Sequence, residues 1–341
     1  MSVYLPNNPS WDQVDAEIFT LTRVPSDLSF KFKKYFNNLE DVYKIERSEL
    51  KDCNGDIKGH YLLTSNNKKV FVKIIDTNDY EQLLEAESFA KILYKNKIKT
   101  QVLLEGFPKS LNNNYSIFAY SYITNRFSKT KEIDITKISQ EISNLHEVFK
   151  NIDSKKVFLN TEKREEFFLK EFDLKVELIG SISVTAKEFL LKYKDLLYRD
   201  FGNKQIIHGD LNFHNIIFDK NSDEILILDF EDVSHSYFSP LYDIAMILER
   251  FILLKDISSE EKFRLGMFLL KNFNRNYFKN NLLYKMLLYI SVRSLLILAT
   301  IFKEKNCTNT QEIEKFIKHI KHINTMKDLI TKLEKAQIEK D

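Results

Sequence analysis

The chain contains 341 residues, of which 43% are hydrophobic, so it is long enough for two lobes that each bury a core. Lys and Arg number 51 and Asp and Glu number 49, which leaves a net charge of +2, and we expect no nucleic-acid partner. Cys53 and Cys307 form no metal or redox spacing, and the amino terminus lacks the basic start and apolar run of a secretory signal. We therefore expect a cytoplasmic protein.

The order of predicted elements indicates an α+β protein. Residues 1–38 are predicted to form an amino-terminal helical extension, whose first helix starts near Ser10-Trp11. Residues 39–123 are rich in strand patterns and should form a small lobe. Residues 124–341 are mainly helical and should form a larger lobe around a ribbon at 205–230.

The first strong turn signal lies in the small lobe. Residues 42–46 and 57–64 read as strands, and Asn54-Gly55 between them favours a hairpin because both residue types tolerate positive φ. Tyr115 to Ile123 alternates like a strand and should be the last of this lobe.

Lys73 lies in a strand that is apolar on both faces, next to Val72 and Ile74. A buried ammonium group needs an anionic partner, although a strand-end lysine can also extend to water. A helix is predicted over 80–94, and Glu85 lies at the edge of its apolar stripe, with Glu87 as the second acidic candidate.

The most informative segment reads His208-Gly209-Asp210-Leu211-Asn212-Phe213-His214-Asn215, followed by a predicted hairpin and Asp229-Phe230-Glu231. If the hairpin centres on Ser222, antiparallel pairing places residue 215 opposite residue 229. Two oxygen ligands with a carboxylate nearby suit Mg²⁺, which shares its remaining shell with water and nucleotide phosphates. We therefore predict that Asn215 and Asp229 hold Mg²⁺ and that Asp210 accepts the proton of an attacking hydroxyl.

These residues carry a family resemblance. His208-Gly209-Asp210, with Asn215 five residues after the aspartate, resembles the motif of aminoglycoside phosphotransferases, choline kinases and their relatives. Protein kinases have a similar loop, but with Arg at the position of Gly209 and Gly at the position of Glu231. The segment 240–245 resembles the helix start that follows the motif in the small-molecule kinases.

The resemblance implies a protein-kinase-like fold with a small antiparallel-sheet lobe and a larger helical lobe, which binds ATP, or alternatively GTP, as cofactor. It also implies that Lys73 grips the nucleotide phosphates and pairs with Glu85. The hinge residues Tyr120, Tyr122 and Ile123 are expected to contact adenine, and the tip of the 42–65 hairpin should cover the nucleotide.

The resemblance further assigns structural roles in the larger lobe. His208 and Asp243 are expected to support the catalytic loop, and His146, in a helix over 138–148, is expected to be structural rather than catalytic. No complete G-x-G-x-x-G precedes Lys73, which is more typical of small-molecule kinases than of protein kinases.

The acceptor is constrained by charge. Residues 251–341 contain 17 Lys and Arg against 10 Asp and Glu, a balance that disfavours polycationic acceptors such as aminoglycosides. Arg293 lies on a strongly apolar helix, where it should either bind substrate or form a buried ion pair. This apolar stretch approaches membrane-span length, but Lys285 and Arg293 interrupt it, so we predict a buried helix and no membrane partner.

The sequence thus predicts an ATP-dependent kinase that phosphorylates a hydroxyl of a small metabolite: a sugar, amino alcohol or hydroxy acid. No obligate protein partner is evident. Three alternatives stay open: an aminoglycoside-type antibiotic kinase, a protein kinase, and a catalytically silent nucleotide-binding module. The short step from Asp229 to Pro240 leaves a protein kinase little room for an activation loop.

Overall fold

The computed structural model describes residues 2–3, 19–24, 26–36, 38–47, 58–66, 68–305 and 309–339. The chain divides into two compact units. The first contains Met1–Arg126 and Phe218–Glu231, and the second contains Phe127–Ile217 and Asp232–Asp341. The predicted ribbon therefore contributes to both units, with its catalytic loop in the second and most of its hairpin in the first.

The first unit is built on a seven-stranded antiparallel sheet in the order β1-β2-β3-β4-β5-β7-β6. Its strands are β1 (Ser2–Val3), β2 (Phe19–Arg23), β3 (Leu39–Arg47), β4 (Gly59–Ser65), β5 (Lys68–Asp76), β6 (Lys109–Ser110) and β7 (Tyr115–Ser121). The alternating burial of β4 and β5 follows the period of two, and their inward residues form one core with Phe32 and Ile117.

Two helices accompany this sheet: α1 (Ser26–Lys33) and α2 (Tyr80–Lys95). Within 1–38 the structure therefore differs from the predicted helical extension, because β1 and β2 pair with each other and β2 pairs with β3. The stretch Phe19-Thr20-Leu21-Thr22 alternates apolar and β-branched polar residues, which is a strand pattern. The helix predicted near Ser10-Trp11 and the Asn54-Gly55 turn lie outside the described residues.

Five short strands complete the sheets: β8 (Asn125–Arg126), β9 (Gln205–Ile206), β10 (Ile216–Asp219), β11 (Ile225–Ile227) and β12 (Tyr237–Phe238). The order β11-β10-β8 gives one small sheet, and β9 pairs with β12. Both strands predicted in the ribbon are thus present. Their turn is closed by a hydrogen bond from Asp223 N to Asp219 O (2.8 Å), and Asp223 has φ of 57°.

The second unit is mainly helical. Its helices are α3 (Glu132–Lys150), α4 (Lys155–Leu169), α5 (Phe172–Gly180), α6 (Val184–Lys192), α7 (Leu241–Leu248), α8 (Ser259–Leu270), α9 (Leu282–Lys305), α10 (Thr310–Thr325) and α11 (Lys327–Ile338). A π-helical turn, Glu249–Leu253, extends α7. The buried Lys175 satisfies the end of α4, because its Nζ donates to Phe167 O (2.8 Å) and Phe168 O (2.9 Å).

Helix α9 is the apolar segment noted in the sequence. Within Leu282–Glu304, an 18-residue window has a mean hydropathy of 1.7, which is high enough for a membrane span by length and composition alone. However, 61% of the 18-residue apolar window lies buried within the protein, and α9 packs against α5, α7 and α10. This burial is what a core helix shows.

Candidate active site

The predicted catalytic loop, residues 208–215, is anchored through its backbone to Asp243. The carboxylate of Asp243 is fully buried near the start of α7 and accepts from His208 N and Gly209 N, each at 2.9 Å. It also bonds His146 Nε2 at 3.0 Å. A buried carboxylate needs such donors, and here they fix the backbone immediately before Asp210. His208 is itself fully buried, and its Nδ1 accepts from Asp210 N (3.3 Å).

Gly209 is required by both backbone conformation and space. Its φ is 82°, in the region that favours glycine, and an added Cβ would overlap Ser236 Oγ. The same Cβ would lie 3.7 Å from Asp232 Cβ. The arginine that protein kinases have at this position therefore does not fit this loop.

Asp210 is oriented by two amide side chains. Its Oδ2 accepts from Asn212 Nδ2 and from Asn215 Nδ2, both at 3.0 Å. Asn215 Nδ2 also donates to Asp210 O (2.8 Å), so one buried side chain holds both the backbone and the carboxylate of Asp210. Charged acceptors strengthen such bonds. The loop thus presents a half-buried carboxylate in one fixed direction.

In the first unit, Lys73 lies among three carboxylates. It forms an ion pair with Glu231, and its side chain is 19% exposed. Burial by itself lowers the pKa of Lys73, but the charges of Asp229, Glu231 and Glu87 outweigh it and raise the pKa above its ordinary value. Lys73 therefore keeps its positive charge at every physiological pH.

The structure places Glu87, rather than Glu85, on the buried face of α2. Glu87 is 6% exposed, whereas Glu85 is partly exposed. The buried face follows Leu83, Ala86, Ala90 and Leu93. The sequence analysis placed the apolar stripe on bulky residues and overlooked the alanines. The predicted stripe was therefore rotated around the helix relative to the observed buried face. The second acidic candidate is therefore the one that raises the pKa of Lys73.

Glu87 is held by Tyr120, whose hydroxyl donates to Glu87 Oε1 at 2.6 Å. Burial raises the pKa of Glu87, and the hydrogen bond from Tyr120 opposes that rise. Burial and the Glu87 charge also raise the pKa of Tyr120. Tyr120 lies within β7, opposite Phe71 of β5, so its side chain belongs to the lysine cluster. Tyr120 is the last buried residue of this strand before the other predicted hinge residues.

The remaining hinge candidates follow β7. Tyr122 is exposed and donates its N–H to Lys69 O (3.2 Å), and Ile123 is partly buried in the coil before β8.

Asp229 lies two residues after β11 and is exposed, with φ of 62°. Aspartate tolerates this left-handed conformation better than most residues.

Comparisons with known proteins agree with this geometry. Residues 185–265 match the phosphotransferase enzyme family. This segment contains the anchored loop, Asp229 and the start of α7. Over this segment the chain is similar to phosphotransferases of that family. A comparison with curated protein sequences found no match.

Solved structures confirm the predicted fold class of this chain. A spectinomycin phosphotransferase in complex with ADP and spectinomycin matches with a TM-score of 0.57 at 14% identity, covering 91% of this chain and 97% of that one. Plasmodium vivax ethanolamine kinase matches with a TM-score of 0.54 at 17% identity, covering 87% and 85%. The GDP complex of an aminoglycoside 2'-phosphotransferase matches with a TM-score of 0.55 at 10% identity, covering 88% and 98%.

The residues predicted to bind metal have suitable oxygen atoms. Asn215 uses its Nδ2 for Asp210, which leaves Oδ1 for a cation. No hydrogen bond with the described residues engages the Asp229 carboxylate. Within those same ranges, no group of three or more His, Cys, Asp or Glu could enclose a metal. An amide oxygen and a carboxylate are each ligand types that Mg²⁺ accepts, and Mg²⁺ keeps several further ligands from water and phosphate.

Arg293 forms the buried ion pair that was one of its two predicted roles. Its Nη2 lies 2.6 Å from Glu165 Oε1, and its side chain is 12% exposed. Burial alone lowers the pKa of Arg293, but Glu165, Tyr289 and Tyr242 outweigh it and raise the pKa.

Three residues at the site were missed in the sequence. The sequence analysis noted Glu231 only as a difference from protein kinases. No local pattern predicts that it pairs with Lys73. Arg164 donates from Nη1 to Asp232 Oδ1 at 2.9 Å across 68 residues of sequence. Such pairs depend on tertiary packing. The only available signal was an arginine and an acidic residue on predicted elements beside the ribbon.

Proposed function

We propose that this kinase transfers the γ-phosphoryl group of ATP to a hydroxyl of a small metabolite, with Asp210 as the general base. The observation that carries the proposal is the fixed carboxylate of Asp210. Its Oδ2 is held by two amide donors, and its backbone follows two N–H groups that are bonded to a buried carboxylate. A positioned base can accept the hydroxyl proton as the phosphoryl group is transferred.

In this proposal Lys73 binds the nucleotide phosphates. Its raised pKa keeps it cationic, and its partner Glu231 is partly exposed, so phosphate oxygens can compete for the ammonium. Glu87 and Tyr120 hold the other side of the cluster through a 2.6 Å hydrogen bond. Tyr122 and Ile123 are proposed to contact the adenine, as the family resemblance suggests.

Asn215 and Asp229 are proposed to hold Mg²⁺ through the oxygens described above. When bound, Mg²⁺ neutralises phosphate charge and orients the triphosphate. His208 and Asp243 support the loop without contacting substrate. The charge balance and the absence of any Cys motif fit a cytoplasmic location, which we propose as well.

An aminoglycoside-type antibiotic kinase is the second candidate, because two of the structural neighbours are phosphotransferases named for spectinomycin and an aminoglycoside. The basic balance of residues 251–341 disfavours a polycationic acceptor. A metabolite acceptor is therefore the better supported of the two.

Thermal unfolding with and without Mg²⁺ and ATP tests the proposal. We expect ATP to raise the melting temperature of the wild type only when Mg²⁺ is present, because a ligand that binds the native state stabilises it. Asp229→Ala should lose this shift, and Asp210→Asn should keep it. A shift that is independent of Mg²⁺ and of Asp229, or no shift with either ATP or GTP, would contradict the proposed nucleotide site.

A further inference from the structure

Two arginines of the second unit lie close to each other. Arg164 belongs to α4 and Arg293 to α9, so they come from helices separated by more than a hundred residues. They are near enough that the charge of Arg293 lowers the pKa of Arg164. Like charges repel, so placing two guanidinium groups together needs compensation by anions.

Arg164 contacts two residues that follow the ribbon. Its Nη1 donates to Asp232 Oδ1 (2.9 Å), and its Nη2 donates to Ser236 Oγ (3.4 Å). Ser236 and Asp232 are the same residues that an added Cβ on Gly209 would meet. Arg164 therefore contacts Ser236, which lies against Gly209, and Gly209 directly precedes the proposed base, Asp210.

The guanidinium of Arg164 has more donors than its described partners use. It carries five N–H groups, and Nε is buried without an acceptor. Its side chain is still 22% exposed. Burial, followed by the charge of Arg293, lowers the pKa of Arg164 below its ordinary value, so the cation is under-compensated. An anion brought to this group would relieve both deficits.

The surrounding carboxylates are already engaged. Asp232 pairs with Arg164, and Glu165 pairs with Arg293 at 2.6 Å. An ammonium group from an acceptor would share either carboxylate with an arginine, whose positive charge repels it. An anion would instead bind the unused donors of Arg164 and would be attracted by both arginines.

Tyr242 links this cluster to the loop electrostatically. It is buried at the start of α7, and burial raises its pKa to about 12. The two arginines oppose that rise, while Asp232 and Asp210 add to it. The pKa of Tyr242 is therefore affected by both arginines and by the proposed base. All of these charges lie in one neighbourhood of the second unit.

We propose that the acceptor of this kinase is an anion, a hydroxyl compound with a carboxylate or phosphate group that binds the spare donors of Arg164, with Arg293 adding to the positive charge. The inference rests on the proposed function and specifies its substrate class. Arg164 would be a specificity-determining residue. Arg293 would remain paired with Glu165 and act through its charge.

The test uses full-length kinase, labelled ATP and low-molecular-mass metabolites from a cell extract, sorted into anionic, neutral and cationic fractions at neutral pH. Label transferred to a compound of the anionic fraction is the expected result. Label confined to the neutral or cationic fraction would overturn the anion inference and leave the kinase proposal intact. Label in no fraction would overturn the proposed function, and this inference with it.

Phosphatase treatment of the anionic fraction separates the two sources of charge. If labelling survives the treatment, the anionic group is a carboxylate, and if labelling disappears, it is a phosphate monoester. Either result fits the same arginine chemistry, since a guanidinium binds both groups in the same planar geometry.

Variants connect the label to Arg164. Arg164→Gln should raise KM for the labelled compound by about 10- to 100-fold, the range for a lost hydrogen bond to a charged group. Arg164→Lys should give an intermediate rise, because it keeps the charge and loses the fork. The matched control is Arg264→Gln, since Arg264 is also ion-paired in this unit but lies at Glu132 and Glu261.

The melting-temperature shift with MgATP shows whether each variant is folded. An Arg164→Gln variant that keeps this shift and the wild-type KM would overturn the assignment. If Arg164→Gln fails to fold, Arg164→Lys decides by the same measurement.

Discussion

The catalytic loop and the lysine cluster hold their functional groups by different means. In the second unit, backbone N–H groups and amide side chains fix Asp210, and the anchoring carboxylate of Asp243 is fully buried. In the first unit, Lys73 is held by the charges of side chains, and its partner Glu231 is 41% exposed. Directional hydrogen bonds to the backbone fix the position of the loop that carries Asp210. The balance of neighbouring charges fixes the ionisation state of Lys73. The loop should therefore respond to changes in hydrogen bonding, and the cluster to changes in pH and charge.

The largest effect should come from the loop's proposed base. Asp210→Asn keeps the size of the side chain but cannot accept the hydroxyl proton, so turnover should fall by about 10²- to 10⁴-fold. The melting temperature with MgATP should still rise. Turnover within a few-fold of wild type would remove Asp210 from the proposed chemistry.

The next largest effect should come from the buried anchor. Asp243→Asn replaces one carboxylate oxygen, which accepts a hydrogen bond from the backbone, by an amide N–H₂ group, which cannot accept one. Leaving a buried donor unsatisfied costs about 1–3 kcal/mol of the free energy of unfolding. Urea denaturation measures this loss. His146→Gln keeps both backbone bonds to Asp243 and should cost less, so an equal loss in the two variants would contradict the backbone anchoring.

A smaller effect is expected from Gly209→Ala. The left-handed conformation at φ of 82° costs an alanine about 1–2 kcal/mol, and overlap with Ser236 adds to this cost. Adding Ser236→Gly should restore the part due to overlap and leave the backbone part. Urea denaturation of the two variants separates these contributions, and no recovery in the double variant would show that overlap is not the cause.

The smallest effect belongs to the cluster and appears as a pH dependence. Burial raises the pKa of Glu87 above its ordinary value of 4.5. The native state therefore binds this proton more tightly than the unfolded state. The resulting stability is complete below pH 4.5 and is lost as pH rises through the native pKa.

Glu87→Gln removes this titration. The free energy of unfolding of the variant, relative to wild type, should therefore increase between pH 4.5 and neutral pH in urea denaturation. Tyr120→Phe should have the opposite effect and steepen the wild-type loss, because the Tyr120 hydroxyl lowers the pKa of Glu87. A difference between Glu87→Gln and wild type that does not change with pH would contradict the burial of an ionisable group at this position.

The sequence predicts the catalytic loop better than the lysine cluster, because the loop's contacts join residues that are close in sequence. The loop and hairpin could be predicted because their residues lie within one short segment, where the spacing from Asp210 to Asn215 fixes their relation. The fold class followed from that segment and is confirmed, and the same segment matches the phosphotransferase enzyme family. The choice between Glu85 and Glu87 depended on the helical phase of α2, and small alanines on the buried face carry too weak a hydrophobic signal to set it.

The sequence by itself determined the groups available to this protein: a loop that carries Asp210, a hairpin, a buried lysine and a resemblance to small-molecule kinases. Tertiary structure decided the partners: Glu231 with Lys73, Tyr120 with Glu87, Glu165 with Arg293 and Asp232 with Arg164. The physical reason is that a backbone motif acts over a few residues, where chain geometry is fixed. Charged side chains far apart in sequence meet only after the core has packed, and their pairing follows burial and the neighbouring charges.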